Sequence, residues 1–367
     1  MNIKPFFRKY FFRILVILIM LGTLAYFFIH LAKQNPLGEV FGLFLQSAFG
    51  FLILALSFMI ISLFIKAFRF YVLVKPTSTR LSFKNFLVPF FVGYGFSTLG
   101  PLKSGEIVSV EINKRSVSIP RTSSLAAIVL FRILDLFVVL IFFIVALGKT
   151  IPAIIQNDPS RAATIGTVTK VIFYSALAGT IILSFILFFP PVGEIFYKIL
   201  KSITKRISLK GELWLENTFH PAMLNYYLSL KNLYKQKIIA AYVLTTTIAR
   251  WILEFYSLKF TLLAFGETLS LIDSAAITSI TLLAGIVTPA GLGVGTITTQ
   301  SLMEGLLIDP AITGASIIYQ TLVGTGLTLI TAAITSIFLR DYKQKEEKKR
   351  EEIDIEETQN KEETDLD

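Results

Sequence analysis

The sequence has no cysteine and only two histidines, His30 and His220. Disulfides and thiol catalysis are therefore excluded, and so is the Cys/His ligand set of an ordinary zinc or iron–sulfur site. No metal or other cofactor is expected. Charge is scarce as well: Asp, Glu, Lys and Arg make up 16% of the 367 residues, against roughly 25% in a typical soluble domain. The chain carries no Walker A lysine motif, so intrinsic ATP hydrolysis is not expected. Apolar residues fill it instead: 54% are hydrophobic, 33 are phenylalanine, and the mean hydropathy is +0.68. The interior of a soluble fold of this length is too small to hide them, whereas a polytopic membrane protein turns them to lipid.

The net charge of +10 is unevenly spread. Residues 340–367 hold seven Lys/Arg and twelve Asp/Glu, and the rest hold 28 basic and 13 acidic residues, a net +15. In a membrane chain this excess is read as loops facing anionic headgroups on the cytoplasmic side, and no nucleic-acid partner is expected. Six apolar stretches are long enough to cross a hydrocarbon core of about 30 Å: about 12–31, 41–65, 124–147, 169–190, 238–265 and 312–339. Lys4, Arg8, Lys9 and Arg13 precede the first, which imitates a signal peptide. Its length and the lack of a small-residue cleavage site make it a first span instead. Two more apolar stretches, 85–101 and 274–307, are interrupted by Gly and Pro.

With both interrupted stretches entering and leaving on one side, 28 Lys/Arg fall inside and only Lys33, Lys149 and Arg161 outside. Full crossings would instead place the eight-charge loop 191–237 outside, against the positive-inside rule. The expected fold class is therefore all-α: a polytopic membrane protein of about six full transmembrane helices plus two re-entrant or broken helical hairpins. Its order of elements repeats as an inverted pair, half one at 1–150 and half two at 165–340, within a transmembrane domain of 1–340. Broken helices in inverted halves mark binding sites in transporters. The loop 191–237 places Phe196, Ile199, Leu200, Ile203 and Ile207 at helical spacing among Lys198, Lys201, Lys205 and Arg206, an amphipathic surface helix. Residues 341–367 form a charged cytoplasmic tail.

Candidate substrate-binding residues follow from these breaks and from charges inside spans. The first break, GYGFSTLGPLKSGEI, offers Lys103, Gly105 and Glu106; a helix restarting near Ser104 would present free N–H groups suited to a phosphate oxygen. The second, GIVTPAGLGVGTITTQSLMEG, offers Pro289, Gly291, Gly293, Gln300 and Glu304. Its GLGVG is not a nucleotide loop, because no strand precedes it. Arg132 and Asp135 are three residues apart in the third span, and Arg250 and Glu254 four apart in the fifth. Both spacings allow an ion pair on one helix, and an Arg released from its acid can grip a lipid phosphate with two parallel hydrogen bonds. Lys66 and Arg69, at the end of the second span, read as interface anchors. Tyr319 and Gln320 line a cavity or pack. No catalytic residue is assigned.

The segment PLKSGEI…NKRSVSIPRTSSLAAIVLFRILDLF resembles the lysylphosphatidylglycerol synthase transmembrane-region family of flippase-like membrane proteins. The resemblance rests on Pro101, Gly105 and Glu106 as a P-x-x-x-G-E element, on Arg132 and Asp135 as an R-x-x-D core, on Pro289, Gly291, Leu292, Gly293 and Val294 as P-x-G-L-G-V, and on Arg69 after the second span. It covers about residues 10–340. Two departures touch substrate identity: relatives commonly have an acid after G-L-G-V, where this chain has Gly295 and Thr296, and often Tyr-Arg where it has Tyr319-Gln320. The resemblance implies lipid handling in a bacterial or archaeal plasma membrane, with both termini cytoplasmic. A membrane lipid with an anionic or lipid-linked headgroup is the expected partner. A fused aminoacyltransferase domain is not expected. The leading function is translocation of a phospholipid or lipid-linked precursor between leaflets. Two alternatives stay open: a scaffold or accessory subunit for a separate synthase or glycosyltransferase, and a polyprenyl-phosphate-dependent transferase. A homo-oligomer is also left open. The transferase reading has few carboxylates to work with in the first two outer loops, since 32–40 offers only Glu39 and 148–168 only Asp158.

Overall fold

The computed structural model describes residues 37–77, 81–99, 105–157, 162–207, 209–234, 237–285 and 293–338, with single positions 18, 22, 25 and 29. Among the described residues every regular element is a helix. The expected first span at 12–31 and the tail at 341–367 lie outside them.

The stretch read as one span at 41–65 is two helices, α1 (Leu37–Gln46) and α2 (Phe49–Val74). The Ser47 hydroxyl donates to the Phe44 carbonyl, and Ala48 leaves helical geometry at φ −75°, ψ 85°. The freed Ala48 N–H donates instead to the Ala264 carbonyl, 2.9 Å away, which ties the break to another helix. Because α2 continues to Val74, Lys66 and Arg69 lie inside it. Neither is the loop residue that the sequence count took it to be.

The first interrupted stretch is a helical hairpin, α3 (Phe83–Leu99) against α4 (Glu106–Val117). Two glycines make the close approach. A Cβ on Gly93 would lie 2.6 Å from the Ser109 Cβ, and one on Gly105 would lie 1.8 Å from the Phe96 carbonyl oxygen. After α4 closes on left-handed Ser118, α5 (Arg121–Gly148) starts behind Pro120, and α6 (Thr150–Asn157) follows directly. α7 (Ala162–Phe188) leads into the region 191–237, which holds three helices: α8 (Pro190–Ile207), α9 (Leu209–Trp214) and α10 (His220–Tyr234). α8 has the expected amphipathic pattern, with Ile195, Ile199 and Ile203 exposed along one side.

α11 (Lys237–Ala264) packs along the length of α2. A second hairpin follows, α12 (Leu271–Gly285) against α13 (Val294–Gly305), where a Cβ on Gly295 would stand 3.3 Å from the Gly285 Cα. The last helix, α14 (Pro310–Phe338), is capped by Asp309, whose carboxylate accepts from the Ala311 and Ile312 amides, with Pro310 in the first turn. It contains a π-helical turn at Leu322–Gly326.

Among the described residues, five helical segments are long and apolar enough to cross a membrane: Phe49–Val74, Arg121–Asn157, Gly166–Phe188, Lys237–Ala264 and Pro310–Phe338. Their outer faces carry Ile141, Ile144, Ile182 and Phe185 in the open, as lipid-facing residues must be. Inside, one core joins Phe143, Phe255 and Ile277 across α5, α11 and α12. A second stacks Phe70, Phe86, Phe90 and Phe131.

Candidate functional site

The charges of three long helices converge between them. Arg69 on α2 and Arg250 on α11 reach Asp135 of α5 from two sides, at 3.2 and 3.3 Å. Arg69 is 2% exposed and Arg250 4%. Arg250 also meets Glu254 at 3.0 Å, and Glu254 accepts from Lys66 at 2.8 Å and from the Ser62 hydroxyl at 3.0 Å. Arg69 donates to the Thr247 hydroxyl as well. The two guanidinium groups lie over aromatic faces, Arg69 over Phe131 at 4.1 Å and Arg250 over Trp251 at 4.0 Å, a contact that strengthens as water is excluded.

Apart from Ser62 and Thr247, these groups line a cavity of about 180 Å³ shared with the first hairpin, which supplies Tyr94, Ser97, Glu106 and Asn113. A cavity near 150 Å³ admits a benzene-sized molecule, so a phosphate group fits. Glu106 and Arg132 pair with each other and are more accessible than the inner cluster. Four cations (Lys66, Arg69, Arg132, Arg250) thus face three carboxylates (Glu106, Asp135, Glu254), a balance of +1. Among the described residues, several buried donors have no hydrogen-bond partner: Arg69 Nε, Arg250 Nε and Trp251 Nε1. Arg250 Nη2 lies near Asp135 without hydrogen-bond alignment. A buried unmet donor costs free energy.

The expected residues divide into groups. Arg132, Asp135, Glu106, Arg250 and Glu254 come together at the cavity. The Arg250–Glu254 pair forms within its helix. Arg132 and Asp135 do not pair with each other: Arg132 turns to Glu106, and Asp135 is taken by Arg69 and Arg250. Two adjacent cations from neighbouring helices outcompete one partner on the same helix. Gly105 acts through backbone contact, where no Cβ fits. Gly293 starts α13 at φ +79°, in the region that favours glycine. Gln300 donates to Glu304 at 2.8 Å within α13, and neither lines the cavity. The second hairpin contributes Leu282 instead. Lys103, Pro289 and Gly291 lie outside the described residues.

Reading the spans one by one missed Lys66 and Arg69, taken as interface anchors, together with Tyr94, Thr247 and Trp251. A signal for two of them was present: Ser62, Lys66 and Arg69 recur at i, i+4 and i+7, one face of a helix. Among the described residues no group of His, Cys, Asp and Glu is arranged to hold a metal ion.

These helices define a multi-pass helical membrane protein with a cluster of charges enclosed between its spans. Residues 10–334 match the lysylphosphatidylglycerol synthase TM region, and the chain belongs to that family. The family ties it to membrane-lipid modification and flipping. No curated protein and no solved structure matches the chain.

Proposed function

We propose that the protein takes the phosphate-bearing headgroup of a membrane lipid or lipid-linked precursor into the cavity between α2, α5 and α11 and moves it between leaflets. One observation carries this reading: a buried cluster with a +1 balance and unmet guanidinium and indole N–H donors, deep between apolar helices. Ionisable groups in membrane spans are costly and concentrate on pathways. The excess positive charge of the lining suits an anion.

The hairpins support a transporter over a static receptor. At 1.5 Å per residue, the arms α3, α4, α12 and α13 have 17, 12, 15 and 12 residues, all short of the ~20 needed to cross. They are read as re-entrant elements of two inverted halves, each pinched at a glycine, Gly93 against Ser109 and Gly295 against Gly285. The excess of Lys/Arg in the segments read as inner supports a cytoplasmic N-terminus.

The test is leaflet exchange in proteoliposomes, read by dithionite quenching of fluorescent anionic, aminoacylated and polyprenyl-phosphate lipids. Quenching beyond half for one headgroup, lost in Arg132→Ala/Asp135→Ala, is expected. No exchange of any of them by folded protein would reject the reading.

A further inference from the structure

The charged cavity is one end of a longer polar file. On α11, Thr247, Arg250, Glu254, Ser257 and Thr261 follow one another at intervals of three, four, three and four residues, a single stripe of the helix. The stripe faces inward, with Thr247, Ser257 and Thr261 fully buried. It spans 14 residues, about 21 Å at 1.5 Å per residue, or some two thirds of a ~30 Å hydrocarbon core. An inward stripe of a buried span has no need of polarity: the neighbouring residues Leu258 and Leu262 are apolar and pack into the core of α5 and α12.

Beyond Glu254 the file passes to the last helix. Gln320 of α14 donates its side-chain amide to the hydroxyls of both Ser257 and Thr261. Thr313 and Ser316 precede Gln320 by seven and four residues, so they share its face of α14. Both are fully buried, and neither hydroxyl has a hydrogen-bond partner among the described residues. The helices run in opposite senses here: Ala315 joins the cluster of Ala264 and Phe265, and Tyr319 donates to the Leu52 carbonyl. Ser316 and Thr313 therefore continue the file past the end of the α11 stripe. The π-helical turn Leu322–Gly326 begins two residues after Gln320. Such turns recur at functional sites, because a backbone with one extra residue per turn is easily rearranged.

We infer that Ser257, Thr261, Gln320, Ser316 and Thr313 form an uncharged route along α11 and α14, by which a polar headgroup released from the charged cavity reaches the opposite end of the bundle. This rests on the reading of the protein as a lipid translocator. The groups on the route are hydroxyls and one amide, which exchange hydrogen bonds with phosphate or polyol oxygens without trapping them as a guanidinium does. Tight capture at one end and weak, repeated contacts beyond it suit passage.

The lack of cysteine makes a direct test simple. Single substitutions Ser257→Cys, Thr261→Cys and Ser316→Cys, each nearly isosteric, are placed in the full chain in proteoliposomes and treated with a charged, membrane-impermeant methanethiosulfonate. Labelling of all three is expected, with none at Leu262→Cys on the apolar side of α11. In parallel, Gln320→Leu should keep its binding of anionic lipid, measured by co-purified lipid, and lose leaflet exchange. Absence of labelling at the three positions, or wild-type exchange by Gln320→Leu, overturns the route while leaving lipid translocation in place. Failure of the unmodified protein to exchange any lipid overturns translocation, and the route with it.

Discussion

Replacing Asp135 by asparagine removes the one carboxylate shared by Arg69 and Arg250. Each pair is 3.2–3.3 Å apart. At an effective dielectric constant of about 20, each is worth ~5 kcal/mol of Coulomb attraction. Much of that sum is offset by the cost of holding a carboxylate away from water, and removing one partner from a buried pair typically costs ~3–5 kcal/mol. Asp135→Asn is therefore expected to destabilise the protein by about 3–5 kcal/mol, a shift of roughly a hundredfold or more in the folding equilibrium.

A compensating change separates electrostatics from packing. Lys66, Arg69 and Arg250 face Asp135 and Glu254 with a balance of +1; Asp135→Asn raises it to +2, and adding Arg250→Met returns it to +1. The double variant should be more stable than the sum of the single changes by about 1 kcal/mol or more, the range of coupling between contacting residues. The assay is unfolding by SDS in mixed micelles, followed by tryptophan fluorescence in a Trp214→Phe background. Trp251 then reports alone, with the Arg250 guanidinium 4.0 Å from its ring. A loss below about 1 kcal/mol for Asp135→Asn, or strict additivity in the double variant, would refute the account of Asp135 as the shared counter-ion.

Further outcomes are expected. Gly105→Ala places a Cβ 1.8 Å from the Phe96 carbonyl oxygen, and since backbone cannot swing aside it should cost about 3 kcal/mol or more; Gly148→Ala, with nothing within 4 Å, is the tolerated control in the same SDS titration. Arg69→Lys keeps the charge but loses the planar fork that serves Asp135, Thr247 and the Phe131 face together, so less anionic lipid should remain bound in native mass spectrometry; equal retention argues against Arg69 as an anchor. Hydrogen bonds from Arg121 and Arg115 pull the Glu111 carboxyl from 4.5 down to about 2. The stabilisation from this lowered pKa is fully present above pH 4.5 and fades as pH falls through about 2. Wild type and Glu111→Gln should thus differ by a constant amount from pH 5 to 8 and converge in acid; a difference that varies between pH 5 and 8 contradicts the assignment.

The fold was legible to the extent that it follows from one-dimensional patterns. Long apolar runs gave α5, α7 and α11 to within a few residues at most of their ends, and the Gly/Pro interruptions marked both hairpins. The break between α1 and α2 was not legible, because Ser47 and Ala48 make no turn signal of their own. What ends the helix there is a hydrogen bond to Ala264, more than two hundred residues away. The site was legible to a similar degree. Arg250 and Glu254 could be paired from their spacing alone, since both lie on one helix. The pairing of Asp135 with Arg69 and Arg250 joins three helices, and nothing in LFRILDLF announces it. Arg69 was misread for the same reason: a basic residue just past the end of an apolar run looks like an anchor until the helix proves to be nine residues longer, to Val74, and its face is turned to α11.

The same three-helix geometry argues that the cluster has work beyond holding the bundle together. Burying charge in a span costs about 2.5–3.5 kcal/mol per residue at the centre, and apolar residues of similar volume often replace a buried ion pair without loss of stability. A network kept only for packing would gain by being neutral and by satisfying every donor. This one has a cation in excess and leaves Arg69 Nε, Arg250 Nε and Trp251 Nε1 unmet beside a cavity. One anionic oxygen group in the cavity supplies the missing negative charge. A single phosphate in the cavity should therefore stabilise the protein more than its neutral glycerol counterpart does, and the dependence of that stabilisation on Asp135 should be inverse: with the resident carboxylate gone, the lipid phosphate takes the place of the counter-ion that Arg69 and Arg250 share. Asp135→Asn protein should accordingly regain more stability than wild type on adding phosphatidylglycerol to the micelles, and none on adding diacylglycerol.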